Sequence, residues 1–147
     1  MTPTARLVRD PIDPTALLRG VANPANGAVL LFLGVVRDVN DGRAVTGIEY
    51  SAYESMAARE LAGIAADAAE RFGTADITIE HRLGELELEE ASVAIAVAHP
   101  RRDGAYSASR WVIEELKRRV HIWKLEHYAD GTREWVDPTR SPAVGAP

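Results

Sequence analysis

Two lysine side chains, Lys117 and Lys124, are the strongest candidates for chemistry in this chain of 147 residues. They are the only lysines among its seventeen basic residues, and both lie in one short stretch. An ammonium loses a proton readily when it is desolvated, so it can exchange protons or attack a carbonyl. A guanidinium stays charged and can only bind or polarise. A bias toward arginine would leave two lysines by chance, but their neighbours favour a functional role.

A second group of positive charges, Arg101 and Arg102, stands between an apolar run and a predicted helix. Guanidinium groups and the free N–H groups of a helix N-terminus can bind the same anion, so this pair is a candidate anion site. An exposed loop with two solvated arginines fits the same residues equally well. A third arginine, Arg37, directly follows an apolar run, at a point where a chain commonly emerges into water.

The composition excludes several classes of function. The chain has no cysteine, which excludes disulfides, thiolate metal sites and a cysteine nucleophile. Its four histidines form no metal-binding motif, and there is no phosphate-binding glycine loop or serine-hydrolase motif. We therefore expect no metal and no cofactor. A net charge of -5 argues against nucleic-acid binding. The longest apolar run is too short to cross a bilayer, so the predicted location is cytoplasmic.

The periodicity of apolar residues predicts the elements that must position these side chains. Helices are predicted at residues 14–21, 57–72 and 105–120, and the middle one ends at Gly73. Strands are predicted at residues 5–8, 27–36, 44–53, 75–83, 92–98, 121–128 and 132–136. We expect the strand at 27–36 to be buried and the strand at 75–83 to be half-buried. Ser51 is expected to form a capping box with Glu54, and Asp103 to cap the last helix.

The order of these elements predicts the fold class. Strands and helices mix without strict β-α-β alternation, which indicates an α+β fold with a mixed, mostly antiparallel sheet and two main helices. The length fits a single domain, expected over residues 1–140, with a flexible tail at 141–147.

The predicted elements bring both lysines to the end of one helix and the strand after it. Lys117 falls in the last helical turn at the edge of the apolar stripe, near Ile113 and Val120. There the aliphatic stem can pack while the ammonium reaches a cleft. A cation that complements the helix C-terminus is the simpler interpretation. Lys124 follows in the strand, where it could equally be a solvated side chain.

Several ordered segments resemble the large, catalytic subunit of molybdopterin synthase. They are FLGVVR at 32–37, EYSAYESM at 49–56, HRLGEL at 81–86, PRR at 100–102 with AY at 105–106, LK at 116–117, IWKLE at 122–126 and WV at 135–136. The resemblance spans about residues 27–136 and implies the α/β-hammerhead fold of that subunit. It also implies a sulfurtransferase of molybdenum cofactor biosynthesis, which installs the dithiolene that turns cyclic pyranopterin monophosphate into molybdopterin.

The resemblance also implies protein partners. In that family the sulfur arrives as a thiocarboxylate on the C-terminal glycine of a small ubiquitin-like subunit, whose tail enters a pocket of the large subunit. A chain without cysteine fits this arrangement, because the partner carries the sulfur. The family forms a homodimer of large subunits with one small subunit at each end, a heterotetramer.

Matched by position, residues of this chain fall on the family's pocket. The resemblance implies that the catalytic pair is Lys117 and Lys124. It implies that the substrate-binding residues are Arg37, Arg101, Arg102, Phe32, Ile113 and Arg140. The family usually has histidine where this chain has Arg101, so anion binding survives at that position and proton transfer does not. His99 lies two residues earlier, and the turn near Glu89 lacks the family's glycine.

Two other functions stay open. A non-catalytic module could bind the glycine tail of a ubiquitin-like partner in the same groove, although a pure tail binder has little need of the second anion site. A small regulatory domain could instead bind an anionic metabolite without a protein partner.

Overall fold

The protein is described by a computed structural model that covers residues 2–136. The elements follow the order β1 (Thr4–Val8), α1 (Pro14–Gly20), β2 (Ala28–Val35), β3 (Val39–Asn40), β4 (Arg43–Ala52), α2 (Glu54–Phe72), β5 (Ile77–Arg82), β6 (Gly84–Glu87), β7 (Ala91–His99), α3 (Arg102–Arg119), β8 (Ile122–Tyr128) and β9 (Arg133–Val136). The predicted tail at 141–147 and the candidate Arg140 lie outside the described residues.

Four strands form the first sheet, in the order β1-β5-β7-β2. Strand β1 runs parallel to β5, and the other neighbours are antiparallel. Helices α2 and α3 pack on one face through side chains such as Leu61 and Val112. Helix α1 covers part of the other face, where Leu17 and Val21 contact the alanines of β7. With both faces covered, β5 is buried along its whole length, so the prediction of a half-buried strand is wrong.

Strand β2 lies at the edge of this sheet, which corrects the prediction of a buried strand. Val29, Phe32 and Val35 are 48%, 36% and 52% exposed. A continuous apolar run usually indicates a strand covered on both faces. Here part of the run is uncovered, so β2 presents apolar side chains at the surface.

The second sheet has the order β3-β4-β8-β9, and β6 also pairs with β4. The turn between β3 and β4 places Asp41 and Gly42 at φ 51° and 74°, which is the geometry of a tight hairpin turn. Strands β8 and β9, both predicted from the sequence, pair antiparallel as a hairpin. The register places Tyr50 of β4 directly opposite Lys124 of β8.

The two long helices begin differently from the prediction. Tyr53 and Arg101 occupy the N-cap positions, and neither side chain caps its helix. Ser51 still belongs to β4, so the predicted capping box does not form. Asp103 lies in the first turn of α3, where its charge favours the positive end of the helix. Helix α2 ends as predicted at Gly73, with φ 68°.

The predicted fold class is confirmed, because mixed and mostly antiparallel sheets combine with two long helices. One hydrophobic core takes side chains from both sheets and from α2 and α3. This continuity supports the single-domain prediction, which stays a prediction for the chain as a whole.

Candidate active site

A cleft of about 290 Å³ lies between the edge strand β2, the inner faces of β4 and β8, and the C-terminal half of α3. The predicted site residues that line it are Phe32, Arg37, Ile113, Lys117 and Lys124. Elements far apart in the sequence thus bring both lysines and one arginine to a single concave surface.

Lys117 stands in the last turn of α3, as predicted, and faces this cleft. Ile113 lines the cleft one turn earlier, and buried Leu116 and Val120 fix this end of the helix in the core. The cleft is open, so the Lys117 side chain is exposed to solvent. The surrounding protein nevertheless removes part of the hydration of its amine. This desolvation lowers the pKa of Lys117, and the like charge of Lys124 lowers it further.

Lys124 reaches the same cleft because side chains alternate along β8. Ile122 and Glu126 share its inward face, whereas Trp123 points outward and is 44% exposed. Lys124 itself is half-buried in the cleft wall opposite Tyr50, and not a freely solvated strand residue.

A buried carboxylate, Glu126, also lines the cleft and is only 1% exposed. The side-chain amide of Asn40 donates to its two oxygens at 2.8 and 3.0 Å, and the Tyr128 hydroxyl donates at 3.4 Å. Sequence reasoning missed both Glu126 and Tyr50. Residues two apart on a strand share a face, so the position of Lys124 could have indicated Glu126. Tyr50 could not be found in this way, because its place in the site depends on how β4 pairs with β8.

Arg37 projects from the end of β2, where two backbone hydrogen bonds fix the chain. The Val36 N–H donates to the Glu90 carbonyl at 3.0 Å, and the Glu89 N–H donates to the Val36 carbonyl at 2.7 Å. Glu90 in turn pairs with the buried Arg82 guanidinium at 2.9 Å. The turn that lacks the family's glycine therefore places Glu89 at φ 71° and still holds the base of Arg37.

A smaller cavity of about 10 Å³ adjoins the cleft. His81 lines it together with Tyr50, Lys117 and Lys124. Burial lowers the pKa of His81 to about 4, and the two lysine charges add to that effect. Burial also raises the pKa of Tyr50, so both side chains are neutral at neutral pH.

Arg101 and Arg102 lie at the opposite end of α3 from Lys117 and do not line the cleft. Both nitrogens of the neighbouring His99 ring are occupied by backbone groups. The Arg101 N–H donates to Nδ1 at 3.0 Å, and Nε2 donates to the Phe72 carbonyl at 2.9 Å. His99 therefore braces the loop before α3 and takes no position in the lysine cleft.

Within residues 2–136, one group of side chains has the geometry to hold a metal ion. The ligand atoms of Glu49, Glu85 and His127 lie within 4.8 Å of one another. Glu49 follows the strand face opposite to that of Tyr50, so this group lies on the other side of the sheet from the lysine cleft.

The cleft supports anion binding and proton transfer. Two ammonium groups and one guanidinium line it beside the apolar side chains of Phe32 and Ile113. Cations in a partly desolvated cleft stabilise negative charge as it develops. An amine whose pKa is lowered exchanges a proton more readily than a free lysine.

Known proteins resemble this chain over most of its length. The MoaE protein family matches residues 7–119. The chain is 41% identical over 134 residues to a molybdopterin synthase catalytic subunit of Emericella nidulans, covering 91% of this chain and 69% of that one. It is 40% identical over 144 residues to the molybdopterin synthase catalytic subunit of Halalkalibacterium halodurans, covering 96% and 92%. The X-ray crystal structure of molybdopterin synthase from Staphylococcus aureus superposes with a TM-score of 0.83 at 36% identity, covering 89% and 95%.

The chain therefore belongs to the MoaE protein family. The family predicted from the sequence is confirmed, and the match to the Staphylococcus aureus structure supports the predicted fold class. An enzyme is favoured over a non-catalytic module, because the relatives are named catalytic subunits. Among residues 2–136, no helix combines the length and apolar character needed to span a membrane.

Proposed function

We propose that this chain is the catalytic subunit of a molybdopterin synthase. It transfers sulfur from the thiocarboxylated C-terminal glycine of a small ubiquitin-like subunit to cyclic pyranopterin monophosphate, and so builds the dithiolene of molybdopterin. The observation that carries this proposal is the convergence of both lysines, Arg37 and an apolar wall on one cleft. The absence of cysteine is consistent with this proposal, because any sulfur that the protein handles must then arrive on a partner or a substrate.

The three cations take different roles in this proposal. Arg37 holds the substrate phosphate, for which a permanent charge is enough. Lys124 polarises the substrate carbon that the thiocarboxylate attacks. Lys117 lies nearest the glycine tail and stabilises the oxyanion as the acyl intermediate forms and is hydrolysed. The lowered pKa of Lys117 supports an additional role in proton transfer.

The small subunit's tail enters along the edge strand β2. Support comes from the exposed side chains of Phe32, Val35 and Val39, which form an apolar wall leading into the cleft. Gly34 lines the same wall, and a Cβ there would stand 2.7 Å from Val93 Cγ1, so the strand is tightly packed from behind. An apolar wall beside a row of cations suits an extended tail that ends in a glycine thiocarboxylate.

Arg101 and Arg102 bind the phosphate from a second copy of the chain. An α-helix rises about 1.5 Å per residue, so Arg102 stands about 22 Å from Lys117 along α3. That separation is too great for both side chains of one subunit to hold the same small anion. This geometry supports a homodimer in which each subunit completes the cleft of the other, and a heterotetramer with one small subunit per cleft. Arg140 remains a further proposed cation of the cleft.

Reconstitution with a thiocarboxylated small subunit and cyclic pyranopterin monophosphate tests the proposal. We expect dithiolene product from the wild type and a loss of at least about 100-fold in turnover for Lys117→Ala, the scale of general acid–base catalysis. Lys117→Arg should keep binding of the small subunit and lose most of the turnover. Arg110→Ala is the matched control, since it removes an 80% exposed cation from the same helix.

Two outcomes would redirect the proposal. A complex that forms without any product in the wild type would favour the tail-binding module. Full turnover by Lys117→Arg would show that a fixed charge suffices, and the proton-transfer role would be wrong.

A further inference from the structure

The small cavity beside the cleft brings His81 and Lys117 into reach of each other. Its other lining residues are Tyr50, Leu116, Val120, Ile122 and Lys124. A volume of about 10 Å³ corresponds to about one water molecule. Both residues line this cavity, and the charge of Lys117 is close enough to lower the pKa of His81, so a single water in the cavity could bridge the imidazole and the amine.

The tautomer of His81 follows from its backbone contact. Its Nδ1 lies 2.8 Å from the Arg82 carbonyl oxygen, which can only accept, so Nδ1 carries the proton. Nε2 is left as an acceptor and is the only polar atom that the ring can offer to the cavity. The ring is 3% exposed and packs edge-on against Tyr50 at 5.2 Å between centroids, which fixes its orientation.

His81 is also a neutral acceptor. Burial lowers its pKa to about 4, so the ring carries no charge at physiological pH. Of the other groups around the cavity, Lys117 and Lys124 only donate, three residues are apolar, and the Tyr50 hydroxyl is the one further acceptor. The carboxylate of Glu126 lines the large cleft and not this cavity.

We propose that His81 is a positioning residue for Lys117. One water in the small cavity accepts a hydrogen bond from the Lys117 amine and donates one to His81 Nε2, and this bridge holds the amine at the wall of the cleft. The consequence for catalysis rests on the proposed function, whereas the contact itself does not. A hydrogen bond to the charged amine favours the charged form, so His81 opposes part of the desolvation that Lys117 experiences.

The titration of Lys117 tests this contact without any activity assay. The chain has only two lysines, so lysine labelled with ¹³C at Cε gives two side-chain signals, which Lys124→Arg assigns. His81→Phe keeps a ring and removes the acceptor, and we expect the Lys117 titration midpoint to fall by about one pH unit. His81→Gln restores an acceptor and should recover at least half of that change. His121→Phe, an exposed histidine outside the cavity, should leave the midpoint unchanged.

A second variant keeps the test decisive if His81→Phe does not fold. His81→Asn keeps a donor for the Arg82 carbonyl, does not reach the position of Nε2, and should lower the midpoint as the phenylalanine does. An unchanged or raised midpoint in a folded variant would overturn the proposal. In the reconstituted enzyme, kcat should fall about tenfold with KM unchanged, since substrate binding does not involve His81. If the wild type makes no product, the proposed function fails while the titration still decides the role of His81.

Discussion

Acidification is expected to destabilise the fold through His81, whose ring is 3% exposed. Burial is the main reason that its pKa falls from 6.5 to about 4. Between these values the unfolded chain binds a proton that the folded chain does not, so stability rises with pH across this window. The contribution of neutral His81 is complete above pH 6.5, is lost as the pH falls, and changes no further below about pH 4.

The magnitude follows from the two pKa values. A difference of about 2.5 pH units corresponds to about 3 kcal/mol, since each unit is worth about 1.4 kcal/mol. Between pH 7 and pH 4.5 the same relation gives about 2 kcal/mol. With a urea m-value of about 2 kcal/mol/M, the unfolding midpoint shifts by about 1 M.

Urea unfolding of the wild type and His81→Phe at pH 7 and pH 4.5 isolates this effect, because the other titrating groups are common to both proteins. The informative quantity is the change with pH in the stability difference between them. We expect the wild type to lose about 2 kcal/mol relative to the variant on acidification. If the difference is the same at both pH values, His81 is not held neutral by burial, and the reasoning about its acceptor role loses its basis.

Two further predictions concern the close packing at Gly104 and the buried carboxylate of Glu126. Gly104→Ala places a Cβ where it overlaps the His99 ring, so we expect a loss of about 1–3 kcal/mol of stability in thermal unfolding. Gly63→Ala is the control. A Cβ at Gly63 has its nearest neighbour at 3.7 Å, so this variant should be neutral or stabilising. Glu126→Ala leaves the Asn40 amide without its buried acceptor and should cost about 1–3 kcal/mol of stability in urea unfolding. Glu126→Gln keeps an acceptor and should cost less. Equal losses in the two variants would contradict this explanation.

Within residues 2–136, local patterns in the sequence predicted the three helices and seven of the nine strands. They missed the short strands β3 and β6 and did not show how the elements pack. The helical stripe that ends at Gly73 depends on residues close in sequence, and its prediction is confirmed. An apolar run such as residues 27–36 is typical both of a strand covered on both faces and of an edge strand beside a cleft. Only the pairing of the strand within the sheet distinguishes the two cases. Ser51 failed as a cap because the ladder between β4 and β8 extends past it.

The site was predictable where residue type marked it. The two lysines stand out by their rarity, and the resemblance added Arg37, Phe32 and Ile113; all of these line one cleft. Tyr50, His81 and Glu126 were missed, because common residue types become part of a site only through strand register and helix packing. The roles predicted for Arg101 and Arg102 stay predictions, because neither residue lines the cleft.

The division between lysine and arginine follows the space around each charge. Arg37 lies at the exposed mouth of the cleft, where a permanent charge suffices to hold an anion. Lys117 lies against a cavity with room for about one water. Tyr50 and His81 are the two hydrogen-bond acceptors that line this cavity. A guanidinium there would need more volume and more acceptors for its planar fork, and it would never release a proton. Desolvation and the charge of Lys124 shift the Lys117 amine toward its neutral form. In our proposal, the bridge to neutral His81 opposes part of that shift. We therefore expect the proposed proton exchange to require lysine at 117, whereas a permanent charge is enough at Arg37.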